Sequence, residues 1–255
     1  MTEPSADISE LESTKSLFRG KGVRVTPDFM EKVKQSDRTR QYIQNADRYL
    51  EAIGYTEHGF RHAEIVSSTA YKILKELGYP EEEAILAQIA GYLHDIGNML
   101  GRTHHNRISA LLAKEILEEL HLGLPEILRV MMAIIGHEED EGVLIPDPVG
   151  AALLIADKSD VHRSRVRNPS SVSEDIHDRV NFAATNSEII IKKGNSGGAR
   201  EEMTTTIQLL VTIDTRISQV IDYFEIFLSR MNASRKAARI LGCNFHLYIN
   251  NTRMA

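Results

Sequence analysis

The stretch from Glu81 to Asp95, "EEEAILAQIAGYLHD", limits this chain more than any other. Its acidic first turn suits a helix N-terminus. Apolar residues then fill nearly every position, as in a helix buried on all sides. That oily helix ends on an imidazole and a carboxylate, His94 and Asp95, and Gly97 stops it two residues later. Successive helical residues point about 100° apart, so the two cannot share one face. They converge only on an object sitting where the helix ends and the backbone turns. A buried ionised carboxylate is rare unless it is paired or bound to metal. A metal ion is the natural object, and other helices must bring its remaining ligands.

The chain around this helix is suited to that task. Thr26-Pro27-Asp28 reads as an N-cap, a proline at the first helical position and a dipole-favoured acid. Helical spacing recurs at Tyr42, Ala46, Tyr49, Leu50 and Ile53, and a further helix is expected from about His58 to Leu77, closed by Gly78. "ISALLAKEILEEL", "PEILRVMMAIIG" and "PVGAALLIADKSDVHRS" continue the series, with almost no strand pattern between Asp28 and Arg165. After residue 183 the pattern changes. "SEIIIKK", "TTIQLLVTI" and "CNFHLYIN" alternate as strands, "GNSGG" at 194–198 signals a loop, and Ile217 to Met231 carries a helical apolar stripe. The expectation is a mainly α fold: a polar, disordered N-terminus over 1–14, a helical domain over 15–183, and a small α+β (ββαβ) appendage over 184–255.

Composition narrows the function. A formal net charge of −6 argues against general nucleic-acid binding, although a local basic pocket remains compatible with it. The single cysteine, Cys243, excludes an intrachain disulfide and suits a reducing compartment. "MTEPSADISE" lacks the basic and apolar regions of a secretory signal, and no apolar run approaches the roughly 20 residues of a membrane span. A cytoplasmic protein is expected.

Ten histidines are present. His58 and His62, four apart, would share one helix face. His94-Asp95 follows, then His104-His105, then His137 at the end of an apolar helix, and Asp157 interrupts the run "AALLIADKSD". Clustered His and Asp at successive helix ends point to metal chemistry.

"HAEIVSSTAYKILKELGY" followed by "AGYLHDIGN" resembles the opening of the HD superfamily of metal-dependent phosphohydrolases. The family's first His, His-Asp doublet and distal Asp match His62, His94-Asp95 and Asp157. Its two-metal variant adds two histidines, matched by His105 and His137. The HD-GYP branch is similar, but its Gly-Tyr-Pro segment is absent after Gly136-His137-Glu138, so its cyclic-dinucleotide substrate is not implied. That branch can place a metal-binding carboxylate four residues before the first His. Here the place belongs to His58, a further ligand or a pocket group, as is His104.

The resemblance implies a phosphohydrolase acting on a phosphate mono- or diester, such as a nucleotide, through a metal-bound hydroxide. Four imidazoles and two carboxylates suit iron or manganese, with cobalt, nickel or zinc as further candidates, better than magnesium or calcium. Asp95 is the candidate bridge between two ions. Lys158, beside Asp157, is expected to bind substrate phosphate at the rim of the site, with Arg165 on the same face of a continuing helix. Arg102 and Arg107 flank the paired histidines, and His104 and Glu138 are candidate proton donors. Two alternatives share this ligand set: a di-iron oxygenase and a metal-bound regulatory module. The appendage's apolar helix allows homo-oligomerisation.

Overall fold

The computed structural model describes residues 23–138, 147–194 and 205–254. The expected disorder at 1–14 and nearly all of the 194–198 loop signal lie outside these residues. Among the described residues seven α-helices come first: α1 (Pro27–Gln35), α2 (Asp37–Ala52), α3 (Phe60–Leu77), α4 (Glu81–Leu93), α5 (His105–Glu119), α6 (Leu124–Ile135) and α7 (Pro148–Ser159). α8 (Ile176–Ala183) leads directly into strand β1 (Ala184–Lys192), followed by β2 (Thr206–Ile213), α9 (Val220–Ile240), β3 (Asn244–Ile249) and the short β4 (Thr252–Arg253). The mainly α architecture with a small C-terminal sheet is as expected, and β4 is its one added strand.

The sheet runs in the order β1-β2-β3-β4. β1 pairs antiparallel with β2, β2 parallel with β3 across the α9 connection, and β3 antiparallel with β4. Ile207, Leu209 and Val211 of β2 are buried, as their alternation requires. Their core is continuous with that of the helices: Tyr223 and Phe227 of α9 belong to the same buried cluster as Leu93 and Leu154. α9 packs against α7, and Ser187 of β1 donates to the Ser159 carbonyl at 2.6 Å.

Three details position the site. α3 begins at Phe60, so His58 precedes the helix instead of sharing its face with His62. α7 ends at Ser159, not beyond Arg165; Asp160 leaves helical geometry with ψ 78°, and its carboxylate is taken by Arg61 and His62. Gly97 is more than a stop. An added Cβ would overlap the His105 carbonyl and the Ser109 amide, so only glycine lets the 3-10 turn Ile96–Leu100 lie against α5. Its N–H donates to Ser109 Oγ at 2.8 Å, bringing the end of α4 beside the start of α5.

Candidate metal centre

Four imidazoles meet at this junction, all buried: His62, His94, His105 and His137. Each is turned the same way. His94 Nδ1 donates to the Gly91 carbonyl at 2.8 Å, His105 Nδ1 to Arg102 at 3.1 Å and His137 Nδ1 to Ile134 at 2.6 Å. His62 Nδ1 donates to Asp160 Oδ2 at 2.7 Å. Carbonyl and carboxylate oxygens only accept, so the Nδ1 atoms carry the hydrogens and the Nε2 atoms face inward as the ligating ends. His62 and His94 bring their Nε2 atoms within 3.3 Å, and His105 and His137 do the same.

Asp95 lies between these pairs. Its Oδ2 is 3.4 Å from His94 Nε2 and 3.8 Å from His62 Nε2, whereas Oδ1 is 3.2 Å from His105 and 3.9 Å from His137. Asn98 Nδ2 fixes the carboxylate by donating to Oδ1 at 2.9 Å and to the Asp95 carbonyl at 3.0 Å. Asp157 Oδ1 completes the first pair, 3.3 Å from His62. Glu138 Oε1 completes the second, 3.2 Å from His105. The donor atoms of His62, His94 and Asp157 all lie within 4.8 Å of one another, as do those of His94, Asp95 and His137 and those of His105, His137 and Glu138. Each set can hold a metal ion.

The electrostatics fit cations. Burial pushes the Asp95 carboxyl upward, but His94 and His105 outweigh it and hold the group well below its usual range. Asp157 is depressed against burial chiefly by Lys158. Glu138 is also held low against burial, by its His105 bond and then Lys158; at neutral pH it is a carboxylate, not the proton donor considered for it. His105 is pushed down by burial yet raised to about 9 by Asp95 and Glu138. At His137 burial, with the neighbouring imidazoles, outweighs Asp157 and Glu138 and lowers the group to about 3. The arrangement asks for positive charge. In the second set a guanidinium answers: Arg102 reaches His105 Nε2 at 3.0 Å and Glu138 at 3.1 Å.

The remaining expected site residues fall out differently. Lys158 is buried inside the pocket instead of at its rim, with Nζ 2.9 Å from Asp157 Oδ2. Arg165 reaches the pocket from a 3-10 turn, Arg163–Arg165, and not from a continuing helix. Its nitrogens donate to the Asp160 carbonyl at 2.7 Å, to His58 Nε2 at 2.8 Å and to the Glu57 carbonyl at 3.3 Å. His58 is thereby a pocket group. Its Nδ1 donates to the Thr56 carbonyl, and the lone pair that would bind metal accepts from Arg165. His104 is exposed at the head of α5, in a left-handed conformation with φ 58°. Arg163 stacks on Phe182 and Arg167 pairs with Asp47.

Four contributors were not found from sequence: Asn98, which fixes Asp95, Arg61, Asp160 and Arg230. Asp160 buttresses His62 and is itself gripped by Arg61 at 3.0 and 3.1 Å; its spacing three residues after Asp157 was the available signal. Arg230 of α9 lines the pocket from the C-terminal unit, and no local pattern marks it.

Residues 59–162 match the family model of the HD domain, and they contain all the candidate ligands. Over this segment the chain is similar to the HD domain family. HD domains bind divalent metals, and their chemistry is that of metal-dependent hydrolases. The chain is also similar to an uncharacterized protein, MJ1020, of Methanocaldococcus jannaschii, with 28% identity over 190 residues covering 66% of this chain and 70% of that one. No solved structure matches it significantly. Among the described residues no helix is long and apolar enough to cross a membrane.

Proposed function

We propose that the HD domain hydrolyses a phosphate mono- or diester at two divalent transition-metal ions. His62, His94, Asp95 and Asp157 would hold one ion. Asp95, His105 and His137 would hold the other, with Glu138 as a further ligand. The observation that carries this reading is Asp95, which turns one carboxylate oxygen toward each pair of imidazoles. Nitrogen-rich shells favour iron or manganese over magnesium and calcium. Two such cations activate water and neutralise phosphoryl charge.

The protein's own groups supply the rest. Lys158 is a compact ammonium within a cluster of carboxylates, able to turn from Asp157 to a phosphoryl oxygen as charge develops there. Arg165, whose nitrogens are engaged by His58, Asp160 and Glu57, adds positive field and stiffens the His62 side. Asn98 and the Nδ1 acceptors keep the ligands oriented. The lone cysteine requires no oxidising compartment, so the reading includes a cytoplasmic setting.

Elemental analysis of protein purified without chelator, followed by a phosphoester panel with manganese under air and under argon, tests the proposal. Close to two ions per chain and turnover without oxygen support it. One ion or none after reconstitution overturns the binuclear part, and oxygen-dependent consumption of substrate would make the chain an oxygenase.

A further inference from the structure

The pocket above the candidate ligands combines two properties. Its free volume is about 20 Å³, room for an ion or a water and not for an organic molecule. Only a small group such as a phosphoryl oxygen enters it, and the body of a substrate must lie against the partly exposed lining groups. Second, its lining is cationic: Arg102, Lys158, Arg165 and Arg230 stand against the carboxylates of Asp95, Glu138 and Asp157. Divalent ions would add further positive charge.

These cations are not equivalent. Lys158 and Arg165 are buried, and Arg102 is bound up with the second ligand set. Arg230 is partly exposed, lies on α9 outside the segment that matches the HD domain, and holds its guanidinium carbon over the Phe227 ring, 4.7 Å from the ring centroid. The cation–π attraction of the ring restrains the position of the guanidinium. Phe227 is itself locked in the core shared by α9 and α7, so the arginine stands on a rigid base.

We propose that Arg230 is a substrate-specificity residue, binding a second anionic group carried next to the scissile phosphate. The HD domain then supplies the site for the reacting phosphoryl, and the C-terminal unit reads what is attached to it. The favoured substrate class is a phosphoester with an adjacent phosphate, for which pyrophosphate is the simplest probe. This rests on the proposed function only in assuming that divalent ions occupy the site.

The test is calorimetric titration of manganese-loaded, full-length protein with inorganic phosphate and with pyrophosphate, comparing wild type, Arg230→Ala and Arg230→Lys. Wild type should bind pyrophosphate more tightly than phosphate. Arg230→Ala should weaken pyrophosphate roughly 10–100-fold, as expected for losing one charge-assisted hydrogen bond, and phosphate less than about 3-fold. Its manganese content should be unchanged, and Arg230→Lys should recover part of the loss. Equal weakening of both anions, or of neither, overturns the inference, as does a wild type without preference for pyrophosphate. Should Arg230→Ala fail to fold, Arg230→Lys decides, by an intermediate loss confined to pyrophosphate. Absence of ester turnover would sink the hydrolase reading while leaving this selectivity to stand or fall on its own.

Discussion

The two halves of the metal centre are built from similar donors but are supported differently. On the His62 side the outer support centres on a buried carboxylate: Asp160, with a side chain 3% exposed, receives the His62 N–H and is met by Arg61, 29% exposed, and by Arg165, 5% exposed. On the His105 side the outer support is Arg102, with a side chain 31% exposed, and the carboxylate it meets, Glu138, is 18% exposed. One half is braced by a buried carboxylate, Asp160, tied to Arg61 of α3 and to Arg165 in the segment after α7. The other is held by a long side chain at the pocket mouth. Long exposed side chains retain rotamer freedom that buried networks do not. If both halves take metal as proposed, the His62 half should hold its ion the more tightly and the His105 half should exchange its ion the more readily.

The harshest trial of that contrast is the residue both halves share. Asp95→Ala should strip both ions and lower turnover by about 10⁴-fold or more, a loss of roughly 5.5 kcal/mol of transition-state stabilisation. His137→Ala should leave about one ion per chain by elemental analysis. Were Asp95→Ala to retain one ion, the carboxylate would belong to a single half and the division would need redrawing.

Lys158→Ala removes a cation without touching either half's ligands. Full metal occupancy with kcat/KM reduced by about 10–1000-fold is expected in steady-state kinetics on the ester identified by the panel. Lost metal would instead make Lys158 a support for Asp157.

Asp160→Asn probes the buried brace alone. Weakening the acceptor behind His62 should lower metal affinity on that side by roughly 10–100-fold, the usual effect of losing an outer partner, as read by chelator competition. An equal substitution effect at Arg102 would remove the asymmetry argued above.

The mildest expectation concerns pH. The metal-free His105 imidazolium is raised from 6.5 to about 9, so it contributes stability that is full below pH 6.5 and lost as pH rises through 9. Metal binding requires that proton to leave, so it strengthens over the same interval. The increase in Tm produced by a fixed free manganese concentration should therefore grow by a few degrees between pH 6.5 and 9. A constant increase would mean that His105 does not ligate.

Much of this molecule was legible beforehand, for reasons that can be named. Helical periodicity with Gly78 and Pro148 as punctuation marks the helical series, and alternation at Ile207, Leu209 and Val211 marks a strand. Four of the six candidate ligands, His94, Asp95, His137 and Asp157, stand out because polar groups in apolar helices need a reason; His62 and His105 join them through the resemblance to the HD family, and the structure brings all six together. What escaped depends on contacts distant in sequence. Asp160 stops α7 because its carboxylate is captured by residues 98 and 99 positions away, which is why Arg165 arrives from a turn. Arg230 enters the pocket only because α9 packs on α7, and no spacing within the tail records that.

One feature of the imidazoles extends beyond binding. His94, His105 and His137 each anchor Nδ1 on the carbonyl three residues earlier in the chain. The tautomer of each ring is thus set by its own turn of backbone, not by the neighbours it meets when the helices dock. A nascent chain emerging with these turns formed already presents the correct nitrogen, and docking needs only to gather the turns. Short segments carrying this bond are accordingly portable: grafted onto another helical bundle, each would bring its ring orientation with it.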